Sequence, residues 1–406
     1  MKNKCRIEKD KLISFLDLGK QPLANGFIKN KNYKEYFYDL KVGFSKKSKM
    51  VQLLNVPKKE KMFNKNYAFY SSTSKFMDQH FEIFSKKIKN FVKSKNIKNP
   101  LIVEIGSNDG IMLKRFKNFN HIGVEPSKNV ANVCKKIEKC NVLNEFFNSS
   151  SIKKIFRKFK KKVDVYYSAN VMCHIEDIKS VLLNISKSLS DKGIFVFEDP
   201  YLGEVIKKNS YDQIYDEHVY LFSIQSINNL AEICNLQLFD VEPQITHGGS
   251  MRYFLCKKNQ YNKSTRLKKY INNEKKLKLD KLSTYKKFAQ RVYKSKFDLI
   301  KLLKKIKRDG KKISAYGATS KSTTIFNFCK IDSNLIDNYY DNTAVKQNKF
   351  SPGMHIPVKS FSKMKKYPDY FFLSAWNHKK EIFNKEKKFK NKGGKWIMHV
   401  PNVRVI

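Results

Sequence analysis

The stretch "NPLIVEIGSNDGIMLKRF", residues 99–116, constrains this chain more than any other. An unbroken apolar run of strand length enters a turn with Gly106 and Gly110, and apolar residues resume at helical spacing beyond it. The expected unit is strand, glycine turn and helix, with backbone N–H groups facing a ligand at the turn. Further apolar runs follow in "HIGVEPS", "VDVYYSANVM" and "GIFVFEDP", separated by helical stretches. Strands alternating with helices predict an α/β fold around a mostly parallel, Rossmann-like sheet.

A chain of 406 residues is long for a single core. Residues 1–75, rich in Tyr, Asn and Lys, read as a small irregular module with strand-like pieces "LISFLDLG" and "KMVQLLNV". Residues 76–260 carry the α/β pattern, beginning with the amphipathic "FMDQHFEIFSKKIKNFVKS". A charged helical stretch near 258–312 marks a boundary. Residues 261–406 form a second, smaller α/β domain opened by "KISAYGATSKSTTIFNFC".

The formal net charge is +47, yet only eight of the 83 basic residues are Arg and the lysines are spread along the whole chain. Specific nucleic-acid readers lean on Arg gathered on one face, so the expectation is no nucleic-acid partner. No apolar run approaches membrane-spanning length, and the first residues lack the apolar core of a secretion signal. A cytoplasmic protein with no membrane partner is expected, as a monomer or weak homo-oligomer. Seven widely spaced cysteines include no Cys-x-x-Cys pair and read as reduced thiols.

Two acids qualify the glycine turn. Glu104 beside it would repel a pyrophosphate but suits an ammonium, and Glu125 at the end of the next strand suits two ribose hydroxyls. A positively charged nucleoside carrying an amino acid, S-adenosylmethionine, satisfies both. A dinucleotide fits poorly, because neither α/β half supplies Gly-x-Gly-x-x-Gly. The candidate cofactor set is Glu104, Gly106, Ser107, Asn108, Gly110, Glu125, Pro126 and Asn170.

In sequence order, "FLDLGKQPLANGF", "YAFYSSTSKFMDQH", "VEIGSNDG", "SANVMCHIED", "YDQIYDEHVYLFS", "HGGSMRYF", "YGATSKSTT" and "DNTAVKQNKFSPGMHIPV" resemble the S-adenosylmethionine-dependent C-methyltransferases that act on nucleotide-linked keto-deoxysugars. The resemblance spans nearly the whole chain. It implies an N-terminal zinc-binding module, a central class I methyltransferase domain and a C-terminal α/β domain that helps hold a nucleoside-diphosphate sugar. Only Cys5 stands where the module's four cysteines would begin, so bound zinc is not expected.

The resemblance places a catalytic Tyr-x-Glu-His set on Tyr215, Glu217 and His218, with His174 and Tyr70 also facing the reaction. C-methylation next to a ketone requires a base and a donor to the enolate oxygen; His218 suits the first role and Tyr215 the second. Asp216 stands where relatives often have His and is left without a role. Substrate contacts are expected from Ser72, His247, Gly248, Gly249, Ser250, Arg252 and Lys321, the "HGGSMR" glycines allowing close approach of a diphosphate. An O- or N-methyltransferase of the same fold is the alternative, and a non-catalytic scaffold or RNA-associated protein is the reading from another class.

Overall fold

The computed structural model describes residues 3–65, 67 and 69–406. Ala68 of the "YAFYSSTSKFMDQH" block lies outside the described residues. The central sheet has seven strands in the order Leu236–Gln244, Ser250–Lys257, Leu189–Pro200, Val163–Ala169, Leu101–Ile105, Asn120–Val124 and Val142–Leu143. Its last five strands are mutually parallel and the first two are antiparallel. Every residue of Leu101–Ile105 is buried, as an apolar run covered on both faces requires.

Strand order reverses around Leu101–Ile105, leaving a crevice at the carboxyl ends of the parallel strands, where α/β sheets bind ligands. One expectation fails here. No α-helix follows the glycine turn; the chain forms only a 3-10 turn, Leu113–Phe116, before the next strand starts at Asn120. Gly106, Asn108 and Gly110 all have positive φ, which leaves too few residues before that strand to nucleate a helix. A Cβ on Gly106 would lie 2.4 Å from Val171 Cγ2, so the turn needs glycine for space as well as conformation.

The N-terminal region is more regular than expected. Leu12–Pro22, Phe37–Ser45 and Val51–Leu53 form an antiparallel sheet, and its fourth strand is Tyr220–Leu221 from the central region. This borrowed strand follows "IYDEH" directly. The stretch is thereby pinned where the N-terminal sheet meets the central domain.

The charged helical region divides. Thr265–Leu277 packs on the central domain through Leu267, and its Glu274 accepts the amides of Ile224 and Gln225 at 2.6 and 3.0 Å. Leu282–Arg308 instead buries Tyr285, Phe288, Val292 and Leu299 in a core shared with the N-terminal sheet and the C-terminal domain. That domain has a second seven-stranded sheet, parallel through its five middle strands, with Ile313–Tyr316 at its centre. Among the described residues, no helix is long and apolar enough to cross a membrane.

Candidate active site

A cavity of about 730 Å³ opens at the crevice of the central sheet. Gly106, Asn108, Glu125, Pro126 and Asn170 line it, all from the expected cofactor set. Glu125 accepts the amides of Asn108 and Ser127 at 2.9 and 2.8 Å, which hold the carboxylate in place with lone pairs to spare. Asn170 has positive φ and its Oδ1 is buried without a hydrogen-bond partner, an acceptor beside the cavity.

Three members of the set lie elsewhere. Glu104 accepts the Tyr167 hydroxyl at 2.7 Å and does not line the cavity; burial raises its pKa well above the usual carboxylate range. The Tyr167 hydroxyl holds this carboxyl within the sheet. Ser107 packs against Gly123 and Gly110 against Cys134, both beneath the turn.

Two histidines meet at the cavity wall, His174 in it and His218 behind it. His174 lines the cavity, its ring 5.3 Å from that of His218 and stacked on Phe63 at 5.7 Å. Tyr215 also packs on His218, with ring centroids 4.1 Å apart. His218 Nδ1 lies 2.7 Å from the carbonyl of Gln213, and a carbonyl can only accept, so Nδ1 carries the proton and Nε2 is the free base. Burial, then His174, holds the His218 pKa well below the ordinary imidazole value, and burial lowers His174 to about 3. Both rings are neutral at pH 7. Asp199, which the sequence did not single out, is buried beside Cys173, and its pKa is pushed up to about 8 by desolvation.

Glu217 faces a second cavity of about 980 Å³ between the N-terminal sheet and the C-terminal domain. Its carboxylate accepts from Asn25 Nδ2 at 2.7 Å and from the Tyr67 hydroxyl at 3.2 Å. Tyr70 lines the same cavity, its hydroxyl accepting from Asn129 at 2.9 Å. Met62 and Tyr67 belong to the walls of both cavities, so the two spaces adjoin beside Glu217. Asn25 and Tyr67 lie in the blocks "FLDLGKQPLANGF" and "YAFYSSTSKFMDQH", but neither was singled out as a site residue. They come from loops remote from Glu217 in the chain and meet it only through the fold.

The residues expected to hold substrate are largely engaged otherwise. Arg252 is 1% exposed, donates from Nη2 to Glu198 at 2.8 Å and stacks over Phe84. Glu198 also meets His80 and Thr246, and despite its burial these partners and Arg252 hold its pKa down to about 2. Arg252 is thus part of a buried ion pair and has no face open to a diphosphate.

Cβ atoms on Gly248 and Gly249 would strike Trp376 and Glu204, so these glycines admit neighbouring protein rather than ligand. Ser250 bonds back to the Thr246 carbonyl. Ser72 is exposed, its amide donating to Asp109 at 3.0 Å, and lines neither cavity. Lys321 is buried at the domain seam, 3.5 Å from the His247 carbonyl and over the Trp376 ring, and burial lowers its pKa to about 8. His247 alone of this group lines the first cavity.

Comparison with known proteins decides what this architecture is. Residues 77–241 match the family model described as "Methyltransferase domain", residues 245–401 "C-methyltransferase C-terminal domain", and residues 5–63 "Putative zinc binding domain". The chain is an S-adenosylmethionine-dependent methyltransferase whose C-terminal part matches a C-methyltransferase domain.

This methyltransferase is 28% identical over 423 aligned positions to C-methyltransferase NovU of Streptomyces niveus, covering 100% of this chain and 97% of that protein. Solved structures are more distant. An S-adenosylmethionine-dependent methyltransferase from Clostridium acetobutylicum ATCC 824 is 10% identical with a TM-score of 0.35, covering 43% of this chain and 91% of its own. The plantazolicin methyltransferase BpumL in complex with SAH is 14% identical with a TM-score of 0.35, covering 44% of this chain and 85% of its own.

The first cavity fits the cofactor of this methyltransferase. Glu125 offers acceptors for ribose hydroxyls, and the orphaned Asn170 Oδ1 offers one for an ammonium, the role expected of Glu104. Zinc does not fit the first segment. Residues 5–63 contain one cysteine and no histidine, and Cys5 is buried against Ser48 Oγ at 3.4 Å and Gln52 Nε2 at 3.1 Å. Ser48 in turn bonds Ser45, whose hydroxyl donates to Asp10 at 2.9 Å. Hydrogen bonds among these side chains tie the segment together.

Proposed function

We propose that this methyltransferase moves a methyl group to the carbon alpha to the ketone of a nucleoside-diphosphate keto-deoxysugar. The observation that carries this reading is the meeting of two cavities at Tyr67 and Glu217, one fitted to the cofactor and one open between domains, with a free imidazole base next in sequence to Glu217.

S-adenosylmethionine, when bound, supplies a methyl on an electrophilic sulfonium. His218 Nε2 takes the proton from the carbon alpha to the carbonyl, and the C–H electron pair passes into an enolate. Tyr215 donates to the enolate oxygen, so the charge develops against a placed donor. Glu217, held by Asn25 and Tyr67, positions the sugar hydroxyls. His174 lines the first cavity and stacks on His218. A base kept neutral by burial remains available as the pH falls below 6.5.

The test is incubation with S-adenosylmethionine and a panel of keto-sugar nucleotides, followed by mass spectrometry and NMR of any product. The expected product carries one new carbon-bound methyl adjacent to the ketone. A methyl found on oxygen or nitrogen would establish the alternative chemistry instead.

A further inference from the structure

The second cavity contains a charge arrangement that the proposed catalysis does not use. Ile28 of the N-terminal region and Phe350 of the C-terminal domain form an antiparallel bridge, with reciprocal amide-to-carbonyl bonds of 3.2 and 2.8 Å. In antiparallel pairing the residue after one partner faces the residue before the other. Lys29 and Lys349 are therefore set opposite each other, and both line the cavity.

Like charges in such positions repel and weaken the pairing. Burial, with Lys29 next, lowers the Lys349 pKa, in keeping with that proximity. Among the described residues neither lysine has a carboxylate ion-pair partner. The nearby acid is already taken: Glu35 binds His355 Nε2 at 2.6 Å and the Gly353 amide at 3.1 Å. An abundance of lysine does not by itself bring two of them face to face across a domain seam.

At the mouth of the same cavity Tyr33 and Tyr36 are 65% and 41% exposed, and Lys61 lies over the Tyr36 ring at 4.4 Å. Glu217, 4% exposed, lies at its inner end. Cations, exposed aromatic rings and a buried carboxylate lining one cavity match the kinds of group in a nucleoside-diphosphate sugar. Diphosphate oxygens accept strong charge-assisted bonds from ammonium groups, and bases stack on exposed rings.

We propose that Lys29 and Lys349 clamp the diphosphate of the acceptor substrate, with the base on Tyr33 and Tyr36 and the sugar directed inward to Glu217. This rests on the reading of the acceptor as a sugar nucleotide. It replaces Arg252 and the "HGGS" turn as the anion site.

Calorimetric titration of the full chain, with saturating S-adenosylhomocysteine to block the first cavity, tests it using UDP, thymidine diphosphate and inorganic diphosphate. At least one nucleoside diphosphate is expected to bind. The double variant K29A/K349A should weaken it about tenfold or more, with S-adenosylhomocysteine affinity unchanged as evidence of an intact fold. Nucleotide binding that survives the double substitution overturns the clamp while leaving the sugar-nucleotide reading standing. No binding of any nucleoside diphosphate to the unaltered chain overturns both.

Discussion

Asp216 Oδ1 accepts the backbone amide of Ala24 at 3.1 Å, joining the Tyr-Asp-Glu-His stretch to the loop that also supplies Asn25 to Glu217. The Ala24 carbonyl in turn accepts from Thr323 of the C-terminal domain at 3.0 Å. Three regions of the chain thus converge on one loop. The residue that had no evident role in the sequence fastens the acidic end of the site.

That bond has a pH signature. Desolvation, then repulsion from Glu217, raises the Asp216 pKa to about 8 from an ordinary 3.8. The folded state therefore binds this proton more tightly than the unfolded state. The resulting stability is fully present below about pH 4 and is lost as pH rises through about 8. Asp216→Asn keeps an acceptor for Ala24 without the ionisation. Its melting temperature should equal or fall below that of the parent at pH 5 and exceed it at pH 9; a difference that does not change with pH would contradict the assignment.

Arg252 and Glu198 give a prediction about stability. Removing one partner of a buried pair strands the other charge, at a cost of about 3–5 kcal/mol. Arg252→Ala should lower the denaturant midpoint accordingly, and the double variant with Glu198→Gln should recover part of the loss. Normal stability with a raised KM for the acceptor would return Arg252 to the substrate site.

Legibility in the sequence followed the range of the interactions involved. Leu101–Ile105 and its parallel neighbours were readable because burial on both faces demands unbroken apolar runs. Glu125, Asn170 and Gly106 were readable because they sit at strand ends, where position along the chain fixes position in the crevice. The direction of the Glu104 carboxyl was not readable, since it depends on Tyr167 one strand away. Arg252 is a related case: an arginine three residues after Gly249 suggests a phosphate site, whereas in the fold Glu198 and Phe84 enclose its side chain. Tyr67, Asn25 and the Lys29–Lys349 pairing arise from contacts between regions far apart in sequence, where no local pattern is required.

The central claim is that His218 removes a proton from carbon. The direct measurement follows solvent deuterium into the ketone substrate by NMR, with S-adenosylhomocysteine in the first cavity, for the parent protein and for His218→Asn. The parent should exchange the proton alpha to the carbonyl. His218→Asn should lose both exchange and methyl transfer, about a hundredfold or more, while binding S-adenosylhomocysteine normally. Exchange and turnover at the parent rate in His218→Asn would contradict the account.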